Sequence, residues 1–505
     1  MPAEPSFSER LLHTLGHAPT VGQEKAIDAL DRLLATPKDR ATLILKGYAG
    51  TGKTTLVGAL VKVLSAARRP VVLLAPTGRA AKVLSAYARA QASTIHRRIY
   101  RVSGEDGGGY GGMSIAANRD AGALFVVDEA SMIGGRSAGE GAFGDRNLLA
   151  DLFQHVFSAP HCKLLLIGDP AQLPPVGSDH SPALVVKDLA DLGLLAGSIE
   201  LTDVVRQAGD SGILENATAL RHLLADIPED YVPPVTGAAN KDSAPDPRSQ
   251  GADGATSTIH LPRFITGTED VQRIDGTDLQ DALEEAYGRH GDEEVCLICR
   301  SNKRAYQYSQ QVRARIHGFD EELVTNDRLM VVKNNYYWAG VNGKPELIAN
   351  GEQITVKRML GTEEKYGLRF ADITAGWWNG QEEREMDVKV IVDVLASEGP
   401  ALPGGQMKLL AQSVLANIVA KTKGERFRKF KEDPYANALQ IKYAYAVTCH
   451  KAQGGQWKSV FVDQGYVTEE MIDREYVRWL YTAITRASEK LYLLNFHPRF
   501  YGEEE

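Results

Sequence analysis

Short, almost wholly apolar runs punctuate the first part of the chain, at Thr42–Leu45, Val71–Ala75, Ala123–Asp128 and Lys163–Gly168. Between them lie stretches such as Leu56–Leu64, whose apolar residues recur at helical spacing. Strands buried on both faces read as continuous apolar runs, and their alternation with helices predicts a parallel α/β sheet with crossover helices. The alternation returns at Glu294–Cys299, Ala438–Val447, Ser459–Asp463 and Lys490–Asn495, which predicts a second sheet of the same kind. Between residues 336 and 433 the pattern changes: Glu352–Val356, Tyr366–Ile373 and Glu385–Ile391 predict inserted, strand-rich material. Pro233–Thr258 is rich in Pro, Ala, Gly, Ser and Asp without periodicity and reads as a linker. A smaller interruption, Thr94–Ala121, is nearly all glycine and acid at Gly104–Gly112. Two short strands flanking that tip would form a protruding hairpin; the tip itself reads equally well as a disordered loop. The expected organisation is a first α/β domain over 1–205 with a hairpin insertion at about 98–121, then a helical connector and flexible linker over 206–265. A second α/β domain over 266–335 and 434–505 is interrupted by a separate subdomain at 336–433.

Composition adds little beyond excluding some classes. With 505 residues, 43% hydrophobic and 24% charged, the chain fits an ordinary water-soluble globular protein of about three domains. The first ten residues carry no hydrophobic signal core, and no apolar run approaches membrane-spanning length, so the expectation is a cytoplasmic protein with no membrane partner. Four cysteines are too few and scattered for a disulfide framework. Cys296 and Cys299 have zinc-like spacing, but they sit in an apolar run without a second pair and read as buried strand residues. A net charge of −8 does not advertise a nucleic-acid binder, although a cleft that grips one strand needs only local positive charge.

The chemistry begins at residues 47–55, Gly-Tyr-Ala-Gly-Thr-Gly-Lys-Thr-Thr, between an apolar run and a helix-patterned stretch. This is G-x-x-x-x-G-K-[ST] in its strand–loop–helix context, which predicts a nucleoside triphosphate held by Gly50, Thr51, Gly52, Lys53, Thr54 and Thr55. Backbone N–H groups and the helix N-terminus would cradle polyphosphate, Lys53 would reach the outer phosphates, and the Thr54 hydroxyl would ligate Mg²⁺. Ala123–Asp128 ends in Asp128-Glu129. Asp128 would hold Mg²⁺ through water or Thr54, and Glu129 would orient or deprotonate the attacking water, which implies hydrolysis and not binding alone.

Further motifs narrow the reading. Gly168-Asp169-Pro170-Ala171-Gln172-Leu173-Pro174-Pro175 is a rigid turn presenting Gln172 between a γ-phosphate and a neighbouring domain. Ala75-Pro76-Thr77-Gly78-Arg79 and Thr448-Cys449-His450-Lys451-Ala452-Gln453-Gly454 place small or hydroxylated residues at strand ends, suited to close contact with a polymer. Val205-Arg206-Gln207 and Tyr481-Thr482-Ala483-Ile484-Thr485-Arg486-Ala487 each supply a guanidinium. In this order, from about Thr20 to Leu494, the chain resembles superfamily 1 helicases, specifically the 5′→3′ branch of RecD- and Dda-like proteins.

That resemblance implies two RecA-like domains, each with an insertion: a duplex-separating hairpin at Arg101–Asn118 in the first and an SH3-like subdomain in the second. It implies an ATP- and Mg²⁺-dependent enzyme that moves 5′→3′ along single-stranded DNA and unwinds tailed duplexes, with an RNA-directed or nonunwinding translocase, or an inactive nucleotide-sensing scaffold, as the competing readings. Gln23 falls where the family reads adenine, although a solvated helix-start glutamine is a competing reading. Arg206 and Arg486 match the two arginine fingers, Gly455 a nucleotide contact, and Thr77, Thr94, His96, Thr448 and His450 the single-strand contacts, each of which also reads as a helix cap or core residue. The segment Lys421–Lys431, basic and interleaved with Phe427 and Phe430, reads either as a DNA contact or as a solvated helix face. Trp377-Trp378 reads either as hairpin core or as a base-stacking platform. The chain is expected to act as a monomer among single-stranded-DNA-binding, repair, recombination or replication proteins, with pathway and loading partners left open.

Overall fold

The computed structural model describes residues 5–102, 113–135, 147–205, 211–228, 231, 259, 261–338, 348–378, 382–468 and 471–502. The first domain is built on a six-stranded, all-parallel sheet in the order Ala92–Thr94, Val71–Ala75, Leu124–Val127, Lys163–Gly168, Ala41–Gly47, Leu195–Leu201. Its central strands are buried along nearly their whole length because helices cover both faces. One face packs Leu43, Leu45 and Leu165 against helices Phe7–Leu15, Val21–Ala35 and Lys53–Ala66. The other packs Ile44, Phe125 and Leu166 with helix Leu148–Val156. Period-2 alternation within continuous apolar strands thus feeds two separate cores. All the loops that carry motifs leave the same, C-terminal edge of this sheet, where open α/β sheets bind ligands.

The second domain holds a five-stranded parallel sheet in the order Ala446–Thr448, Val295–Cys299, Trp457–Asp463, Ala487–Leu494, Val271–Ile274. Both domains are therefore RecA-like in architecture. Cys296 and Cys299, three apart on one strand, belong to the cores on opposite faces of the sheet, so their thiols diverge. All four cysteines are free and buried. Helix Gly212–Asp226 follows the first sheet in sequence but packs Ile213, Ala217, Leu220 and Leu224 into the second domain's core.

Both insertions are present. Tyr100–Val102 pairs antiparallel with Met113–Ile115 to form the base of a hairpin, whose glycine-rich tip lies outside the described residues. The subdomain is a closed barrel of Arg328–Val331, Gln353–Lys365, Leu368–Trp378, Glu383–Ile391 and Leu439–Tyr443. Its long hairpin turns through Tyr366 (φ 55°) and Gly367 (φ 74°), the paired positive dihedrals that match the twist of adjoining strands. The barrel closes on strands to either side of 336–433, so the run Ala438–Val447, expected as one strand of the second sheet, is divided. Leu439–Tyr443 completes the barrel and Ala446–Thr448 enters the sheet, because closure gives the first segment partners in Arg328–Val331 and Glu383–Ile391. Trp377 is core: it is buried and its indole N–H donates to Glu352 Oε2 at 2.7 Å, whereas Trp378, one residue on, faces outward. Helices Gly404–Asn417 and Lys423–Lys431 cap the barrel through Leu410, Val414 and Phe430. The linker expected at 233–258 lies outside the described residues.

Candidate nucleotide and nucleic-acid site

The strand Ala41–Gly47 delivers its loop directly into helix Lys53–Ala66. Gly50 and Gly52 take φ of 75° and 79°, and a Cβ on Gly52 would stand 2.4 Å from Gln23 Nε2, so conformation and space both require glycine there. Gly52 caps the helix without any side-chain hydrogen bond, leaving first-turn N–H groups available to an anion. Lys53 Nζ donates to the Gly47 and Tyr48 carbonyls at 2.6 and 2.8 Å and lies 4.0 Å from Asp169. Thr51 donates its hydroxyl to Tyr48 O at 2.8 Å, while Thr54 and Thr55 are exposed at the helix start.

Gln23 is fully buried, not solvated. It forms a capping box with Thr20, accepting from the Thr20 N–H at 3.1 Å, and its amide donates to Thr51 O at 3.3 Å. The helix ahead of the phosphate loop is thereby tied to the loop itself.

Asp128 and Glu129 stand at the end of Leu124–Val127, and Glu129 holds φ 52°, a strained left-handed conformation for a non-glycine residue. Asp128 Oδ1 accepts the Glu129 N–H at 2.9 Å, and its other oxygen accepts the Tyr87 phenol. Tyr87, on helix Gly78–Ala88, is a site residue that the motifs did not reveal. Burial pushes the Glu129 carboxyl above the usual carboxylate range and Asp128 adds to the rise, while the Arg486 guanidinium, 3.7 Å away, pulls it back.

Arg486 comes from the second domain and is buried at the junction. Its guanidinium donates to Thr482 O (3.0 Å), Gly455 O (3.3 Å) and the Thr485 hydroxyl (3.2 Å). Other bonds cross the same junction. The Tyr481 hydroxyl accepts the Ala49 N–H at 2.9 Å and donates to Asp169 Oδ2 at 2.6 Å. The Leu173 N–H donates to the Thr482 hydroxyl at 2.9 Å, and the Gln453 amide donates to Leu173 O at 2.7 Å. The turn carrying Gln172 is thus clamped by helix Arg474–Ile484 and by the 448–455 loop. Gln172 itself is buried, and its amide oxygen has no hydrogen-bond partner among the described residues. Asp169 is also buried, which pushes its carboxyl upward, while Lys53 opposes the rise.

The structure therefore brings Lys53, Asp128, Glu129, Asp169 and Arg486 together where the two sheets meet. Arg206 lies outside the described residues. The oxygen donors of Thr54 and Asp128 are hard ligands of the kind Mg²⁺ takes, leaving the remaining positions to phosphate and water.

The expected strand contacts sit on C-terminal sheet edges of both domains. Thr77 and Thr94 accept the N–H groups of Ala80 and Arg97, so both hydroxyls cap helices; Thr448 also begins a helix, but its hydroxyl makes no such bond. Burial lowers the His96 pKa to about 4 and moves His450 in the same direction, so His96 is neutral near pH 7. Arg79, which belongs to a motif singled out without a role for this side chain, packs over the Trp457 ring at 4.0 Å and donates to Gln456 O at 2.8 Å, which ties the first domain to the second.

Residues 20–226 match the family model described as an AAA domain, and residues 443–494 match the UvrD-like helicase C-terminal domain. The chain is 32% identical to the ATP-dependent RecD2 DNA helicase of Deinococcus radiodurans over 39% of its own length and 24% of that protein. It is 24% identical to the ATP-dependent DNA helicase dda of Enterobacteria phage T4 over 74% of its length and 77% of that protein. The match to RecD2 thus spans about a quarter of that relative. A solved Pif1 helicase from Bacteroides, in complex with ADP-AlF3 and ssDNA, aligns over 96% of this chain and 94% of its own with 14% identity and a TM-score of 0.45. With a phosphate loop, acidic pair and second-domain arginine assembled as described, and with family models matching residues 20–226 and 443–494, this chain is similar to the superfamily 1B helicases, RecD2 and Dda among them.

Proposed function

We propose that the chain is an ATP-dependent DNA helicase that moves 5′→3′ along single-stranded DNA and unwinds duplex DNA. The observation that carries the reading is the junction cluster, in which Arg486 of one sheet meets Glu129 of the other beside Lys53. A nucleoside triphosphate in the loop would be reachable by groups from both domains, so its hydrolysis and their relative position would be coupled.

In this reading the backbone N–H groups at 50–55 hold the phosphates, and Gln23 contacts adenine with the part of its amide not used in the capping box. Thr54 and Asp128 would hold Mg²⁺, which would supply charge neutralisation at the phosphates. Glu129 accepts a proton from the attacking water, Lys53 and Arg486 neutralise developing charge, and Arg206 acts as the second guanidinium. Gln172 offers its unpartnered amide oxygen to the water or to the partner domain. Gly455, whose carbonyl accepts from Arg486, would contact the nucleotide from the second domain. Loss of the outer phosphate weakens attraction across the junction. Thr77, Thr94 and His96 on one sheet and Thr448 and His450 on the other would then grip the strand alternately, through contacts that read no sequence.

Strand displacement on DNA duplexes bearing only a 5′ or only a 3′ tail tests the proposal. Unwinding is expected with the 5′ tail and ATP; a 3′ requirement overturns the polarity, and activity confined to RNA duplexes overturns the substrate.

A further inference from the structure

The barrel's second capping helix and the residues before it form the most basic stretch of an otherwise acidic protein. Lys421, Lys423, Arg426, Arg428, Lys429 and Lys431 face a single acid, Glu425, in a chain whose net charge is −8. Phe430 points inward and anchors the helix to the barrel core, so the cations are displayed by a rigid element. Lys429 pairs with Glu425 at 3.1 Å; the other five form no ion pair among the described residues. Lys421, Lys423, Arg426 and Arg428 are exposed. A face with six cations and one carboxylate is complementary to a polyanion.

The position of the helix narrows the polyanion. Three consecutive aromatics tie the end of the helix to the first domain's hairpin. The Tyr337 hydroxyl donates to Glu432 O at 3.0 Å, and Trp338 Nε1 donates to Asn437 O at 2.7 Å. Tyr336, between Asn335 and these two, packs against the first-domain core that contains Tyr100, the residue opening the hairpin strand. The basic helix is therefore moored beside the hairpin base. We infer that it is a second DNA site, one that holds the phosphate backbone of duplex DNA arriving at the hairpin, without reading sequence. The inference rests on the helicase reading for the direction from which duplex arrives.

The test is binding by fluorescence anisotropy, without ATP, of a blunt duplex, a 5′-tailed duplex and a single strand, across a salt series. The variant is Lys421→Gln, Lys423→Gln, Arg426→Gln and Arg428→Gln combined, all at exposed positions. Each lost phosphate contact removes about 0.9 from the log–log salt slope on duplex DNA, so the slope is expected to fall by about two to four and duplex affinity by about tenfold or more. Single-strand affinity and single-strand-stimulated ATPase are expected to stay at the wild-type level. A charge-preserving control (Lys421→Arg, Lys423→Arg, Arg426→Lys, Arg428→Lys) should bind duplex like the wild type. Equal loss on the single strand overturns the inference by placing the helix on the single-strand path. Unchanged binding to every DNA overturns it too and leaves an acidic protein as the rival partner. A wild-type protein that binds duplex through these residues yet shows no DNA-stimulated ATPase would defeat the helicase reading while this site stands.

Discussion

At the scale of single residues, the Tyr481 hydroxyl has two tasks at once: it receives the Ala49 N–H of the phosphate loop and donates to buried Asp169, 4.0 Å from Lys53. Tyr481→Phe keeps the ring's packing but strands a loop N–H and a buried carboxylate oxygen. Thermal melting should show a loss of about 1–3 kcal/mol, the cost of unsatisfied buried groups, and DNA-stimulated turnover should fall with nucleotide affinity changed far less. Glu129 gives a second prediction. A base must be deprotonated, and a carboxyl raised by burial reaches that form only at higher pH, so turnover should decline on the acid side through this raised value. Arg486→Gln removes the cation that lowers it and should move the limb of the remaining activity to higher pH, whereas Arg486→Lys should leave the limb near its wild-type place yet still reduce the rate. Glu129→Gln should retain ATP and abolish hydrolysis; wild-type turnover would remove Glu129 from the mechanism. Lys53, Asp128 and Glu129 were legible because local spacing and strand pattern define them. Tyr87 and the bridging role of Tyr481 were not, since each acts through a partner far along the chain: Tyr481 and Ala49 are 432 positions apart.

Among elements, legibility followed the burial pattern. Strands covered by helices on both faces announce themselves as apolar runs, and Val71–Ala75 and Lys163–Gly168 fall where the runs do. The barrel was harder, because whether Leu439–Tyr443 pairs with a sheet or a barrel depends on closure, which no local pattern encodes. The Trp377–Trp378 ambiguity was resolved by alternation: one indole in the core, the next outside. Trp377→Ala should therefore cost about 3–5 kcal/mol in a denaturant melt, and Glu352, which loses its indole donor, should loosen from Arg97, whose guanidinium stands 3.7 Å away and 5.0 Å over the same ring. Because that contact joins barrel to first domain, unwinding should suffer more than single-strand-stimulated ATPase; the opposite ordering would assign Trp377 a purely local role. Thr20→Ala should cost about 1 kcal/mol as a lost cap and weaken nucleotide binding by freeing Gln23.

Across the whole molecule, the two α/β domains meet through loops, and bonds that join them include Ala49 to Tyr481, Tyr481 to Asp169, Leu173 to Thr482, Gln453 to Leu173, Arg478 to Asp179 and Arg79 to Gln456. Ala171 and Leu173 of the first domain also pack into the second domain's core, so opening the junction would withdraw them from it. Amide exchange at Ala49 and Leu173 should slow when a non-hydrolysable ATP analogue and single-stranded DNA are bound together, and exchange in the central strands should not change; uniform slowing throughout would argue against a hinge.

The sealed sulfhydryls have a practical corollary. Burial pushes the Cys296 thiol up to about 12 and the Cys299 thiol well above its ordinary value, so neither offers a thiolate near neutrality, and Cys162 and Cys449 are buried as well. A thiol-reactive dye should find almost nothing to modify in the native chain and four groups after denaturation. A single cysteine placed on helix Leu279–His290 of the second domain and another on the first domain would then be the sole rapidly labelled positions in an otherwise unaltered protein, and the distance between their dyes would follow the opening and closing of the junction turnover by turnover.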